Sequence, residues 1–140
     1  FAVFREFLQI KPDLHVGGQV RNGTTKGIDD EALAAYNAPF PDEDHKQGVR
    51  QFPNLVPATL RTPSAEPNKE AWNILRQWEK PFLCAFSDKD PIFAGIENSF
   101  LKLVPGCKDM PHVTIENAGH FLQEDQPEAC VDAILSIKEL

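Results

Sequence analysis

The spacing of apolar residues changes along the chain and separates an irregular first half from a more regular second half. Before residue 66, apolar residues form short clusters between Pro, Gly and Asn, and three clusters have helical spacing, over residues 3–10, 29–38 and 42–52. Asp29 and Asp30 stand where the second helix would begin, and aspartate is a favoured helix cap. The pattern therefore predicts a first half that is helical but irregular.

A longer amphipathic helix is predicted from Pro67 onwards, with the proline in or near its first turn. The apolar residues at helical spacing in this stretch are Ala71, Trp72, Ile74, Leu75 and Trp78. Such a stripe predicts a helix that packs one face against another part of the protein.

Two short apolar runs then alternate with helical sequence. Residues 81–86, PFLCAF, are typical of a strand that is buried on both faces, and residues 112–116, HVTIE, form a second run rich in β-branched residues. Residues 92–104 between them are compatible with a helix, which Pro105 and Gly106 would end. Strand, loop, helix and strand in this order predict a parallel unit.

The last segment, residues 127–140, is predicted to be a surface helix that covers the sheet. One stripe of this helix holds Cys130, Ala133, Ile134 and Ile137. Helices in the first half and a parallel unit in the second indicate a chain of the α/β class.

Composition and charge narrow the classes of function. The 140 residues could form one domain with a sizeable core, and the net charge of −7 argues against nucleic acid or an anionic membrane as the main partner. Three scattered cysteines indicate neither a disulfide framework nor a zinc site, which fits a reducing cytoplasm. No apolar run approaches the roughly 20 residues of a membrane span. Phe1 opens the chain without a Met or a signal-peptide pattern, which predicts a cut rather than a natural start.

Polar side chains follow both predicted strands. Asp88 and Asp90 come after the first strand, and Gly119 and His120 come after the second. Because the carboxyl ends of parallel strands meet at one edge of the sheet, a carboxylate and the imidazole can meet there as the orienter and base of a catalytic triad. Gly119 suits a turn that needs positive φ or close backbone approach. One of the two aspartates is expected to make only turn contacts.

The other histidines are not expected to be catalytic. His15 and His45 lie in polar, loop-like sequence, and His112 begins the second predicted strand. No two His or Cys residues have the spacing of metal ligands, so no metal site is predicted.

Three stretches also carry a resemblance to a known family. FSDKDPI, PHVTIENAGHFLQED and AAYNAPFPDEDHKQGVRQFPNLVP resemble the haloalkane dehalogenases of the α/β-hydrolase fold, in the subfamily whose two halide-holding groups are both tryptophans. The resemblance runs through essentially the whole chain. It implies an incomplete α/β-hydrolase fold, in which residues 1–78 form the helical cap and its return helix. Residues 79–140 would then be the last part of the core, with its last two parallel strands and their helices.

The resemblance also implies roles for individual residues and a reaction. Asp90 matches the triad acid and His120 the base. Residues expected to line the pocket are Phe1, Phe52, Pro53, Val56, Ile92, Phe93 and Phe121. In the family reaction an aspartate displaces halide from a small halogenated hydrocarbon and forms an alkyl ester, which a water activated by the histidine hydrolyses. No cofactor or metal is expected.

The sequence departs from the family pattern at two points. Nothing before Phe1 supplies the nucleophilic aspartate or the tryptophan that follows it, so the isolated chain is expected to be inactive. The cap motif F-x-x-W is FAVF in this chain, which leaves Phe4 where the second halide donor is expected, and phenylalanine has no N–H to donate. Trp72 and Trp78 do not replace it, since their spacing indicates helix packing.

Three functions therefore remain open. The first is a dehalogenase whose N-terminal half exists in the full-length protein or in a partner chain. The second is another hydrolase on the same scaffold, such as an epoxide hydrolase, which would need cap tyrosines, whereas Tyr36 is the sole tyrosine. The third is a non-catalytic remnant that binds a partner through the surface that the absent half would cover.

Overall fold

The computed structural model describes residues 2–137, which form two units. The first unit comprises the chain up to Gln19 together with Asp29–Asn73. The second comprises Val20–Ile28 and the chain from Ile74 onward. The short segment Val20–Ile28 therefore belongs to the unit that also contains both predicted strands.

Helices of the first part of the chain follow the predicted clusters. The helices are α1 (Ala2–Ile10), α2 (Val16–Asn22), α3 (Asp30–Asn37), α4 (Gln47–Gln51) and α5 (Ala65–Leu75), with 3₁₀ turns at Asp44–Lys46 and Phe52–Leu55. Asp29 caps α3, because its Oδ1 accepts the N–H of Ala32 at 2.8 Å. The sequence pattern did not predict α2, because this helix contains two glycines and glycine is a poor helix former.

The predicted helix after Pro67 is present but ends earlier than its apolar stripe. Pro67 lies in the first turn of α5, as predicted, and the helix ends at Leu75. Trp78 therefore lies beyond the helix, where its carbonyl accepts the N–H of Gly106 at 2.7 Å. Ile74 is 63% exposed, so the stripe is not buried along its whole length.

The second unit contains a two-stranded parallel sheet. Strand β1 (Ala85–Ser87) pairs with β2 (Val113–Ile115), and Phe86 faces Thr114 in the register. This confirms the parallel pair, but each strand has three residues, so the prediction of a strand over the whole of PFLCAF was wrong. The N–H groups of Phe82 and Cys84 instead donate outside the ladder, to Gly106 O at 2.9 Å and to His112 Nδ1 at 3.1 Å.

Three further helices belong to the described part of the second unit. They are α6 (Glu97–Leu103), α7 (Leu122–Asp125) and α8 (Pro127–Ser136), with a 3₁₀ turn at Pro105–Cys107. Helix α6 begins later than residue 92 because Gly95 takes positive φ (82°) just before it, and it ends before Pro105 as predicted. Gly106 is required by close approach, because a Cβ there would lie 2.0 Å from Lys80 O.

The buried core is concentrated in the second unit. Its buried apolar residues are Val20, Cys84, Val104, Cys107, Ile115, Ala118 and Ala133, whereas those of the first unit are Leu8 and Leu14. Burial raises the pKa of the Cys84 thiol to about 11, with a further contribution from Cys107. An open apolar groove of about 450 Å³ remains beside β1, and all four residues of the α8 stripe line it.

Within residues 2–137, no helix combines the length and the apolar character needed to cross a membrane. The same residues contain no group of three or more His, Cys, Asp or Glu side chains arranged to hold a metal ion.

Candidate active site

The two loops that leave the parallel strands meet, and they bring a carboxylate against an imidazole. His120 Nδ1 lies 3.0 Å from Asp90 Oδ2. Because a carboxylate only accepts hydrogen bonds, Nδ1 carries the proton, and Nε2 of the neutral ring is left as an acceptor. Asp90 is 7% exposed, and the side chain of His120 is 26% exposed. This is the arrangement of an oriented base that water can still reach.

Asp90 and Asp88 have different tasks. The second carboxylate oxygen of Asp90 accepts the N–H of Ile92 at 2.7 Å, which fixes the carboxylate against its own loop. Asp88 is exposed and accepts the N–H of Ala118 at 3.1 Å. Burial raises the pKa of the Asp88 carboxyl, but the hydrogen bonds from Ala118 and Asn117 outweigh it and leave the pKa lowered. Asp90 is thus the partner of the imidazole, and Asp88 joins the two loops.

Two aromatic rings flank the imidazole. The centroid of Phe93 lies 5.3 Å from that of His120, and the centroid of Phe121 lies at 5.1 Å in an edge-to-face arrangement. Phe93 and its neighbour Ile92 are nearly half exposed, at 46% and 48%. The second unit therefore presents apolar surface beside the polar pair.

The other described residues that were predicted to bind substrate belong to the first unit. Phe4 lies on α1 and is 40% exposed, Phe52 and Val56 are 75% and 42% exposed, and Pro53 is half-buried. Phe1 lies outside the described residues. The substrate-binding role of all these residues stays a prediction.

The three histidines that were not expected to be catalytic have local partners. His15 Nδ1 accepts the N–H of Gly18 at 2.9 Å, and His45 Nδ1 lies 2.6 Å from Asp42 on an exposed surface. His112 joins the 3₁₀ turn to the start of β1, since its Nε2 lies 2.8 Å from Cys107 O. These contacts stabilise turns.

Sequence reasoning missed a fourth part of the site, a segment that we call the strap (residues 23–26). Gly23 O accepts the N–H of His120 at 2.7 Å and that of Phe121 at 3.3 Å. Gly119 is required by this contact, because a Cβ there would lie 2.5 Å from Gly23 O. Gly119 therefore serves close backbone approach, the second of its two predicted uses.

Asp125 holds the strap. Its carboxylate accepts the N–H groups of Thr25 and Lys26, at 2.8 and 3.2 Å, and that of Gly119 at 2.8 Å. Burial raises the pKa of this carboxyl, but these N–H donors and the Thr25 hydroxyl outweigh burial, so the pKa is lowered. No fixed spacing could have revealed the cluster, since Thr25 and Asp125 are 100 residues apart.

Curated relatives match the chain along nearly its whole length. A haloalkane dehalogenase of Psychrobacter cryohalolentis is 49% identical over 128 residues, which is 91% of this chain and 42% of the relative. Haloalkane dehalogenases of Mycolicibacterium paratuberculosis and Mycobacterium marinum are 40% and 38% identical over 136 residues, which is 97% of this chain and 45% and 46% of those relatives. Over this shared length the chain is similar to proteins of the haloalkane dehalogenase family.

The match covers only part of each relative. The chain spans less than half the length of these haloalkane dehalogenases, which is consistent with a C-terminal portion. No protein-family model matches it. The α/β-hydrolase fold that the family implies is compatible with the parallel pair and its surrounding helices. The assignment to the subfamily with two halide-binding tryptophans stays a prediction.

Proposed function

We propose that this chain supplies the cap and the water-activating half of a haloalkane dehalogenase. The observation that carries the proposal is the 3.0 Å contact between His120 Nδ1 and the buried carboxylate of Asp90. Relatives that bear the enzyme's name cover nearly the whole chain and support the same function. The nucleophile would come from an N-terminal portion, in the same chain or in a partner chain.

Two chemical steps follow from this assignment. An aspartate of the N-terminal portion attacks the halogenated carbon, so that a C–O bond forms while the carbon–halogen bond breaks and halide leaves. A water molecule then loses a proton to His120 Nε2 and attacks the ester carbonyl carbon. The bond between that carbon and the alkyl oxygen breaks, and the alkyl oxygen takes the proton back from the imidazolium and leaves as the alcohol, which restores the aspartate. Asp90 stabilises the imidazolium that forms. These steps need halogenated hydrocarbon and water, and they use no cofactor or metal.

The aromatic residues would serve the first step. Phe93 and Phe121 flank the imidazole, and their rings would exclude water from the region where the carboxylate attacks. A poorly hydrated carboxylate is a better nucleophile toward carbon. We assign a substrate-binding role to Ile92 of the second unit and, by family resemblance, to Phe4, Phe52, Pro53 and Val56 of the first unit. Phe1 completes the set by family resemblance alone.

The open groove beside β1 supports an N-terminal portion as the partner of this chain. Parallel sheets are normally covered on both faces, yet the groove exposes Phe82, Phe86 and Ile134 beside a sheet of two strands. The relatives are more than twice as long as the chain, so they contain enough additional protein to cover it. Sedimentation should detect self-association of the chain alone and its loss when the N-terminal portion is present. A dilution-resistant monomer would contradict this partner.

Replacing His120 tests the function directly. In the complete protein, His120→Ala should still form the alkyl ester, since displacement needs no base, but should not hydrolyse it. Mass spectrometry after incubation with a bromoalkane should therefore find an adduct on the mutant. Asp90→Asn should slow turnover by disturbing the tautomer and charge of the imidazole.

An exposed pair of the same chemistry provides the matched control. His45 and Asp42 are also in contact, at 2.6 Å, but their side chains are more than half exposed. His45→Ala and Asp42→Asn should release halide at the wild-type rate. An active wild type with no adduct on His120→Ala would contradict the role of His120. A wild type that binds its N-terminal portion but releases no halide would favour the non-catalytic binding role.

Phe4 decides how the halide is held. If it occupies the cap position of a halide donor, one N–H is missing, and by analogy with an oxyanion hole the carbon–halogen step is slower by about 10²–10³-fold. Phe4→Trp should then raise bromide affinity, measured by fluorescence quenching, and kcat/KM on a bromoalkane. Unchanged bromide binding in a folded mutant would make Phe4 a packing residue.

The acidic chain with free cysteines also leads us to propose a cytoplasmic location.

A further inference from the structure

The strap binds the backbone at His120 through hydrogen bonds. Gly23 O accepts two successive N–H groups, those of His120 at 2.7 Å and Phe121 at 3.3 Å. The Thr25 hydroxyl lies 2.9 Å from Asn117 O, in the turn that precedes His120. The turn of residues 117–121 is thus fixed along its length by a segment about a hundred residues earlier in the chain.

One buried carboxylate keeps the strap in contact with this turn. Asp125 is 4% exposed, whereas Thr25 and Lys26 above it are exposed. Its Oδ2 accepts from Gly119 N at 2.8 Å and from Thr25 N at 2.8 Å, so a single oxygen joins the strap to the turn. Its Oδ1 lies 2.9 Å from the Thr25 hydroxyl and 3.2 Å from Lys26 N. Hydrogen bonds to a charged acceptor are shorter and stronger than those between neutral groups.

We propose that Asp125 is a positioning residue for His120, which keeps the imidazole in the orientation that activates water by joining the strap to the residue before it. The proposal rests on the proposed function of His120. The imidazole is fixed at Nδ1 by Asp90, but a ring held at one atom can still swing if its backbone moves. Asp125 restricts that movement. The N–H of Gly119 donates to its carboxylate, and the N–H of His120 donates to Gly23 O of the strap that the same carboxylate holds.

Asp125→Asn is the most informative substitution, because it changes the hydrogen-bonding groups of the side chain and keeps its shape. Asparagine has the same shape, but one carboxylate oxygen is replaced by an NH2 group. This NH2 group would face backbone N–H groups that donate to the carboxylate in wild type, so those hydrogen bonds would be lost. The strap should loosen while the rest of the second unit keeps its buried residues. The matched control is Glu128→Gln, which removes one negative charge from an exposed residue of the next helix.

A positioning role and a merely structural role affect the two chemical steps differently. Loss of folded protein lowers alkyl-ester formation and ester hydrolysis by the same factor. A misplaced imidazole slows hydrolysis alone, because displacement of halide needs no base. A misplacement of about 1 Å can cost about 100-fold in rate, so we expect hydrolysis in Asp125→Asn to slow by about 10- to 100-fold.

Single-turnover kinetics of the complete protein with a bromoalkane test this, with bromide release reporting the first step and the ester adduct reporting the second. Asp125→Asn should accumulate the ester with an unchanged first step, and Glu128→Gln should resemble wild type. Equal slowing of both steps, or no slowing, would overturn the proposal.

A second measurement separates this proposal from the proposed function. The imidazole resonances of His120 can be measured by NMR in the complete protein without substrate. Asp125→Asn should change the chemical shifts of the His120 imidazole and leave those of His45 unchanged. If wild type forms no ester at all, the proposed function fails, and the resonances still decide the positioning role. Identical His120 chemical shifts in wild type and Asp125→Asn would overturn it.

Discussion

Arg50 in the first unit and Asp125 in the second unit each join stretches of backbone that are far apart in sequence. Arg50 donates from its guanidinium to Leu8 O and to Lys11 O, at the end of α1, and also pairs with Glu43. Asp125 accepts backbone N–H groups from the strap and from Gly119. The arginine thus binds carbonyl groups at the end of a helix, where they lack helical partners, and the aspartate binds N–H groups between two loops.

The two clusters differ in how easily water can replace the charged group. The carboxylate partner of Arg50 is accessible, since the side chain of Glu43 is 42% exposed and also contacts Lys46 at 2.6 Å. The principal partner of Asp125 is the N–H of Gly119, a buried residue, which water reaches only if the strap moves away. A buried donor left without an acceptor costs much more than an exposed one. The comparison indicates that the second unit depends more strongly on Asp125 than the first unit depends on Arg50.

The largest effect is therefore expected from Asp125→Ala. Loss of the carboxylate leaves the Gly119 N–H unsatisfied and releases the strap, so the unfolding free energy of the second unit should fall by about 2–3 kcal/mol. Urea unfolding, monitored through amide exchange at Gly119 and His120, measures this loss of stability. Trypsin should also cleave faster after Lys26. Glu128→Ala is the exposed control. A loss below about 0.5 kcal/mol, which is typical of a surface change, would contradict the importance of the buried contacts.

Arg50→Met should have a smaller effect on the first unit. Three hydrogen bonds to Arg50 disappear, but Glu43 stays hydrated, so we expect a loss of about 1 kcal/mol. Amide exchange near the end of α1, at Lys11, should report it. Arg61→Met, at an exposed position of the same unit, should change little. If Arg50→Met costs more than Asp125→Ala, the comparison between the two units is wrong.

The sequence predicted the parts of the fold that depend on local patterns or on strand direction. Parallel order of the two apolar runs was enough to expect Asp88, Asp90 and His120 at one sheet edge, because that follows from topology alone, and family resemblance selected Asp90. Strand length could not be read, since Phe82 and Cys84 have the composition of a strand but donate to Gly106 and His112. Hydrogen-bond partners from other parts of the chain override β-propensity in such short runs.

The strap and Asp125 could not be predicted, for a physical reason. An aspartate in the sequence LQEDQP has the same pattern as a solvated residue near a helix start, and its partners are 100 residues away. The one local signal was the small residues around Gly23 and Gly119, which permit close backbone approach. The site thus divides into a pair that topology predicts and a cluster of contacts that needs the folded chain.

Acid should weaken the second unit through Asp125 by less than the full replacement does. Its pKa is lowered in the folded state because N–H donors outweigh burial, so the contribution to stability is present above the unfolded pKa near about 3.9 and is lost as the pH falls through the folded value. The neighbouring ammonium of Lys26 donates to the backbone oxygen of Asp125. Protection of the Gly119 amide from exchange, relative to the intrinsic rate at each pH, should therefore fall below about pH 4 in wild type. In Asp125→Asn this fall should be smaller, and equal pH dependence in both proteins would contradict the assignment.

The smallest effect is expected from the cap of α3, which is the first unit's counterpart of a carboxylate that accepts backbone N–H groups. Asp29 Oδ1 accepts from Ala32 N at 2.8 Å, but Asp29 is exposed and the contact spans three residues, so water can take its place. Asp29→Ala should cost about 1 kcal/mol or less, whereas Asp29→Asn should cost almost nothing, because asparagine caps as well as aspartate. Amide exchange within α3 measures the change. Asp125→Asn should cost much more stability than Asp29→Asn, since the oxygens of Asp125 accept hydrogen bonds from several donors in two loops. If Asn proves harmless at both positions, the number of N–H donors does not decide how much a carboxylate stabilises its unit.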